Sequence, residues 1–335
     1  MSSAPTASEI ARDARWLAQA LDPATGALRL VAMDADSYRA VSFLDDRIFQ
    51  QPVDAQVVPW PLVVEAAAEI SRCDARWIFH IGHVGSTLVS RLLGELTGVL
   101  GVREPRLLRD LAMAPAEIRQ GYLVPIPALF SRTFANDEIA CIKSTSWVSE
   151  IAPALVPPGE RALFMFATPR NYIASILAGE NSVKELRTLA DSRAQRLGQR
   201  DIAVPGGRDD AEFAAIAWAC EMTALEAAAE VMSDRHIAWL DFDEMLGDMP
   251  ATLESAADHF GFDADSSAIA AITGGPLMSS YSKALEYEYS ADLRRELIAE
   301  AEQYHRREIE GALAMLRSAA EKSPLLGRAL SRAEG

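Results

Sequence analysis

The chain is short of the features that mark several large protein classes. It has three cysteines in 335 residues, Cys73, Cys141 and Cys220, with no C-x-x-C spacing. That excludes a disulfide-stapled scaffold and predicts reduced core thiols in a cytoplasmic protein. The five histidines show no metal-ligand spacing, so no metal site is expected. No apolar run is long enough to span a bilayer, and no membrane partner is expected. The opening MSSAPTASEIARDARW has no apolar stretch of the secretory kind. Basic residues are outnumbered, 32 against 48 acidic, for a net charge of −16. A nucleic-acid partner would want a basic face, so none is expected. Neither a G-x-S-x-G elbow nor an internal repeat is present, which removes the common serine hydrolases and the solenoids.

Half of the residues are hydrophobic, enough to bury the core of one large α/β domain. The spacing of Ile10, Ala14, Leu17 and Leu21 predicts a helix from Ser2 to Leu21. Residues 27–75 hold short apolar pieces broken by Pro52, Pro59 and Pro61. They read as an N-terminal elaboration, residues 1–75, packed on a main domain of residues 76–335. Within that domain the runs ARWIFHIG, GVLGV, IACIKS, RALFMFAT and HIAWLD predict strands, the last of them buried. Helices are predicted at STLVSRLLGELTG, at PRNYIASILAG, from Asp210 through AEFAAIAWACEMTALEAAAEVM, and over MPATLESAADHF, stopped at Gly261. Glu180 to Asp210 is polar and reads as an irregular insertion or lid. Residues 290–321 read as one long charged helix, long enough to pair with a copy of itself in a homodimer. Strands alternating with helices predict a central parallel sheet flanked by helices, a P-loop-type three-layer sandwich.

The stretch WIFHIGHVGSTLVSRLL holds the chemistry. A strand stops at Gly82 and a helix starts near Ser86, so the backbone N–H groups of the turn and the helix start form a site for an anion. Gly82, His83, Val84, Gly85, Ser86 and Thr87 are the candidate phosphate loop. Nucleotide hydrolases place a lysine before the Ser or Thr of such a loop; here Ser86 stands there. His80, on the preceding strand, reads as a core histidine.

Together with segments further along, this loop resembles that of the sulfotransferase superfamily, over about Arg76 to Asp263. GHVGSTLVSRLL is similar to the family's phosphate loop, with His83 at its Lys/Arg position. CIKSTSW is similar to the family's Lys-Thr-His segment, with Lys143 matching the lysine and Thr145 standing where the usual histidine base would be. FMFATPRNYIASIL is similar to the segment that binds the cofactor's 3′-phosphate. There Pro169, Arg170 and Ser175 match, and Ala167 replaces the leading arginine. WLDFDEMLGDMPATLESAADHFGFD matches a further family segment. The resemblance implies 3′-phosphoadenylyl sulfate (PAPS) as cofactor, held by its 5′-phosphate on the loop without magnesium, and by its 3′-phosphate on Arg170 and Ser175. It implies sulfuryl transfer to a hydroxyl or amine of a small-molecule or peptide acceptor.

In-line displacement at sulfur needs a donor on the leaving oxygen and a base for the acceptor's proton. His83 and Lys143 are the candidate donors. Glu104, after the strand GVLGV, is the candidate base, as in family branches that use a glutamate there. Tyr281, Ser282 and Lys283 are candidates to close over the nucleotide. Two other functions are open on the same scaffold. One is an ATP-dependent phosphotransferase, with Asp241 or Asp243 on magnesium. The other is a non-catalytic nucleotide-binding relic, in keeping with Ala167 and Thr145.

Overall fold

The computed structural model describes residues 4–279 and 291–335, with the backbone alone at 180, 181, 279 and 291–293. Thr6 caps a helix of six residues, Ala7–Arg12, in a reciprocal pair with Glu9. The helix expected to reach Leu21 stops there, and β1 (Trp16–Asp22) follows. The turn after β1 explains the difference. Asp22 accepts hydrogen bonds from the Ala24 N–H and the Thr25 hydroxyl, and Gly26 sits at φ 69°. β2 (Ala27–Ala32) therefore returns antiparallel to β1. β3 (Ala55–Pro59) pairs with β2 to complete a three-stranded antiparallel sheet.

Five strands make the second sheet: β4 (Arg76–His80), β5 (Val99–Arg103), β6 (Ile139–Lys143), β7 (Arg161–Phe166) and β8 (His236–Asp241). All pair in parallel, in the order β5-β6-β4-β7-β8, with helices around them. This is the α/β class that the strand–helix alternation predicts. The side chains of β4 and β7 are nearly all buried, as in a sheet covered on both faces. In-register Phe79, Phe164 and Trp239 run as an aromatic row across β4, β7 and β8, with centroids 5.7 and 5.1 Å apart. Such edge-to-face pairs add roughly 0.5–1.5 kcal/mol each beyond burial. β8, expected to be buried, is a half-buried edge strand. The Arg332 guanidinium lies 4.0 Å over its Trp239 ring.

Three stretches fold otherwise than expected. The polar segment after residue 179 is two helices, Glu180–Thr188 and Ala190–Gln199. The buried face of the second is Arg193, Arg196 and Leu197; arginines on an inward face hide the apolar period that marks a helix. The C-terminal helix breaks at His305 into Ala291–Tyr304 and Arg306–Ala320. The second piece buries Ile309, Leu313 and Leu316, and it packs on the helix Asp210–Val231 of its own chain. The helix after the loop ends at Leu93, before Gly94, rather than at Gly98. Of the cysteines, Cys141 and Cys220 are buried, but Cys73, in the irregular run before β4, is exposed. No helix among the described residues is long and apolar enough to cross a membrane.

Candidate functional site

The carboxyl ends of β4, β5 and β6 and the segments that follow β7 and β8 line one cleft of about 1510 Å³. This is where open α/β sheets bind ligands, at the point where successive connections turn to opposite sides of the first strand. β4 is that strand, with β6 on one side and β7 on the other. Its last residue, His80, is 5% exposed. His80 Nε2 donates to the Ser144 carbonyl at 2.8 Å, and Nδ1 accepts the Gly82 N–H at 2.9 Å. The expected core histidine thus ties the start of the loop to the end of β6.

The loop turns through three left-handed residues: Gly82 at φ 85°, His83 at 56° and Gly85 at 62°. Gly85 precedes the helix Ser86–Leu93. A Cβ on it would lie 1.9 Å from the Phe242 ring, so the loop closes against the start of the segment after β8 only because Gly85 has no side chain. Val84, Ser86 and Thr87 are buried. The helix N-terminus presents unpaired N–H groups toward the cleft, which suits an anion. The His83 ring stands edge-on to Tyr172, 6.2 Å between centroids.

β6 ends at Lys143, 1% exposed. Its Nζ donates to Thr87 Oγ1 at 3.2 Å and pairs with Glu104 Oε1. Glu104 follows β5. Its N–H donates to the Lys143 carbonyl at 2.7 Å, and its backbone is left-handed, φ 52°. Loop, lysine and carboxylate, widely separated in sequence, therefore meet. Residues from the N-terminal part, absent from the sequence-based candidates, complete this wall. Arg47 lies 3.6 Å from Glu104 and stacks on Phe43, whose ring also faces Lys143. No local sequence signal marks Arg47; it reaches the site only through the packing of the two sheets' segments.

On the other side of the loop the candidates separate. Ser175 lines the cleft, and its hydroxyl accepts from Arg294 Nη1 at 3.3 Å. Arg294 also stacks 4.4 Å over the Phe242 ring and lies 4.0 Å from Asp243. Arg170 does not join them. It leaves the helix Pro169–Leu177 on the solvent side and pairs with Glu310 at 2.7 Å, both half-exposed. The cation at Ser175 is thus Arg294, from a helix the motif does not include. Asp243 accepts from Asn171 Nδ2 at 2.8 Å, and burial holds the Asp241 carboxyl above its ordinary range. No cluster of three or more metal-ligating side chains occurs among the described residues. Tyr281, Ser282 and Lys283 lie outside the described residues.

The third wall is the helix pair after residue 179. Burial pushes the Tyr172 phenol well above its ordinary value. Trp147, four residues past β6, has two guanidiniums beside its ring, Arg196 at 4.4 Å and Arg193 at 5.9 Å. Arg196 is held by Glu150 and Glu221, each at 2.7 Å. Burial pushes Glu150 up, but Arg196 and Arg200 outweigh it and leave the carboxyl below its ordinary range.

No family model matches the chain, and no curated protein does. Among solved structures it is similar to mouse sulfotransferase SULT7A1 complexed with PAP, at 11% identity and a TM-score of 0.42, over 78% of this chain and 89% of that one. It is similar to the sulfotransferase domain of the curacin biosynthetic pathway at 12% identity and a TM-score of 0.39, over 65% and 83% of the two chains. A third is sulfotransferase STF1 of Mycobacterium tuberculosis, at 14% identity and a TM-score of 0.37, over 71% and 81%.

Proposed function

We propose that the protein is a sulfotransferase that moves a sulfuryl group from PAPS to a hydroxyl or amine. One observation carries this choice over a phosphotransferase. Lys143 is bonded to Thr87 Oγ1, the hydroxyl that a hydrolase-type loop would give to magnesium. A fixed ammonium at that hydroxyl supplies positive charge to a phosphate ester in place of a metal ion. PAPS, when bound, supplies an activated sulfuryl group and a phosphate leaving group.

The residues of the chain fit that cosubstrate. The loop N–H groups from Gly82 to Thr87 hold the 5′-phosphate, and the left-handed turn at His83 and Gly85 keeps them convergent. Ser175 and Arg294 hold the 3′-phosphate in place of Arg170. His83 and Lys143 face the leaving oxygen. Glu104 takes the acceptor's proton. Its pairing with Lys143 holds it in place, and the acceptor displaces that contact as it enters.

The test is a thermal-shift comparison of the full chain with 3′-phosphoadenosine 5′-phosphate (PAP) in EDTA and with ATP plus magnesium. A ligand at a hundredfold excess over its dissociation constant stabilises by roughly 2.7 kcal/mol. PAP is expected to raise the melting temperature without metal. If only ATP with magnesium does so, the chain is a phosphotransferase.

A further inference from the structure

Arg193 is 5% exposed and lines the cleft. Among the described residues its Nε and Nη1 are buried without a hydrogen-bond partner, and it forms no ion pair. The Trp147 ring lies 5.9 Å from it, and its charge reaches the Tyr172 phenol, as do those of Glu221 and Glu185. The contrast with Arg196, one turn along the same helix, is direct: that guanidinium has two carboxylates. A buried charge left alone, with donors unsatisfied, is costly to the folded state. The same wall holds a second unanswered group, Thr145 Oγ1, buried without a partner two residues before Trp147. These groups call for an occupant with acceptor oxygens and negative charge.

Sheet order says which occupant. Glu104 and Lys143 stand at the ends of β5 and β6, on one side of the loop strand β4; Ser175, Arg294 and Phe242 follow β7 and β8, on the other. Trp147 and Thr145 follow β6, and Tyr172 lies on the helix after β7, so Arg193 stands where the two sides meet. The second unanswered group, Thr145, is on the side of the proposed base, and that sets the anion toward Glu104 and Lys143. We infer that Arg193 is an acceptor-binding residue and that the acceptor carries a carboxylate. This rests on the sulfotransferase reading for the word acceptor; the anion site itself does not. A planar guanidinium is matched by a carboxylate or a phosphate; the proposed nucleotide phosphates already have the loop and Ser175 with Arg294, which leaves a carboxylate, and Trp147 and Tyr172 offer aromatic surface beside it.

The test uses the full chain and two probes of one shape, 4-hydroxyphenylacetate and its neutral amide, with PAP as a third ligand. Dissociation constants are measured by calorimetry for the native chain and for Arg193→Met. The native chain is expected to prefer the carboxylate to the amide by tenfold or more. Arg193→Met is expected to abolish that preference and leave PAP affinity within twofold. Without ligand, Arg193→Met is expected to melt no lower than the native chain, because it removes an unpaired buried charge, whereas Arg196→Met melts lower. The inference is overturned if native protein binds carboxylate and amide alike, or if the preference survives in Arg193→Met. A parallel fall in PAP affinity overturns it too, because Arg193 would then serve the nucleotide. Failure of PAP to bind at all counts against the sulfotransferase reading and leaves the carboxylate preference to be judged by itself.

Discussion

Two residues without glycine's freedom hold left-handed backbone at the cleft, His83 at φ 56° and Glu104 at φ 52°. Each costs roughly 1–2 kcal/mol, and Glu104 is fixed by its N–H on the Lys143 carbonyl and by its ion pair. Strain of this kind persists where the surroundings over-determine it, commonly at working sites. The Glu104–Lys143 pair is unequal in its supports. Lys143 is almost fully buried, whereas Glu104 keeps a second cation, Arg47, at 3.6 Å. Glu104→Ala leaves a buried ammonium without its carboxylate, a loss of about 3–5 kcal/mol. Lys143→Met leaves the carboxylate facing Arg47 and fills the space with apolar atoms, so the expected loss is smaller, about 1–2 kcal/mol. Urea unfolding of both variants checks the order; equal losses would mean that Arg47 does not share the carboxylate.

At the scale of elements, the loop and its helix are shaped by two glycines with different reasons. Gly82 needs its φ of 85°, but a Cβ there would meet nothing nearer than 3.9 Å. Gly85 needs φ 62° and would also drive a Cβ into Phe242 at 1.9 Å. Gly82→Ala is therefore expected to cost about 1–2 kcal/mol from the backbone alone. Gly85→Ala adds an overpacking cost of about 1–3 kcal/mol, and shrinking the ring with Phe242→Leu should recover part of it. Matched unfolding midpoints for the two alanine variants would show that the Phe242 contact is not a constraint. The five parallel strands were legible in sequence because each is a short apolar run ended by a turn. The hairpin at Asp22 was not, because its strand also satisfies a helical spacing, and only the Asp-Pro-Ala-Thr-Gly turn decides. The helices after residue 179 were hidden by Arg193 and Arg196 on their inner face. The loop was legible as a glycine turn between a strand and a helix, and the family resemblance pointed to Lys143 and Glu104; all three stand at strand ends, where a parallel sheet gathers its ligands. Arg47, Arg193 and Arg294 were not, because they come from segments remote in sequence whose placement only packing fixes.

For the molecule as a whole, stability against pH tests how the last turn of one helix is locked onto the sheet. His259, in the final turn of the helix Met249–Phe260, donates from Nε2 to the Ala162 carbonyl of β7 at 2.9 Å. Burial lowers its pKa from the ordinary value, with Arg161, His236 and Arg76 adding to the effect and the bond to Ala162 opposing it. The folded state thus binds this proton less readily than the unfolded chain. Above about pH 6.5 the imidazole is neutral in both states and costs nothing. As pH falls below that, the unfolded chain takes up the proton first, and stability declines until pH passes the lowered folded value. Asp241 works in the opposite sense: its raised pKa gives stability that is lost as pH rises through its folded-state value. Urea unfolding between pH 8 and pH 5 is expected to show level stability above pH 7 and a decline below about 6.5. His259→Gln keeps a donor for Ala162 but cannot titrate, so the difference between native and variant should vanish in slope above pH 7 and grow as the pH falls. A native-minus-variant difference that is flat from pH 7 to 5 would show that His259 is not a source of the acid decline.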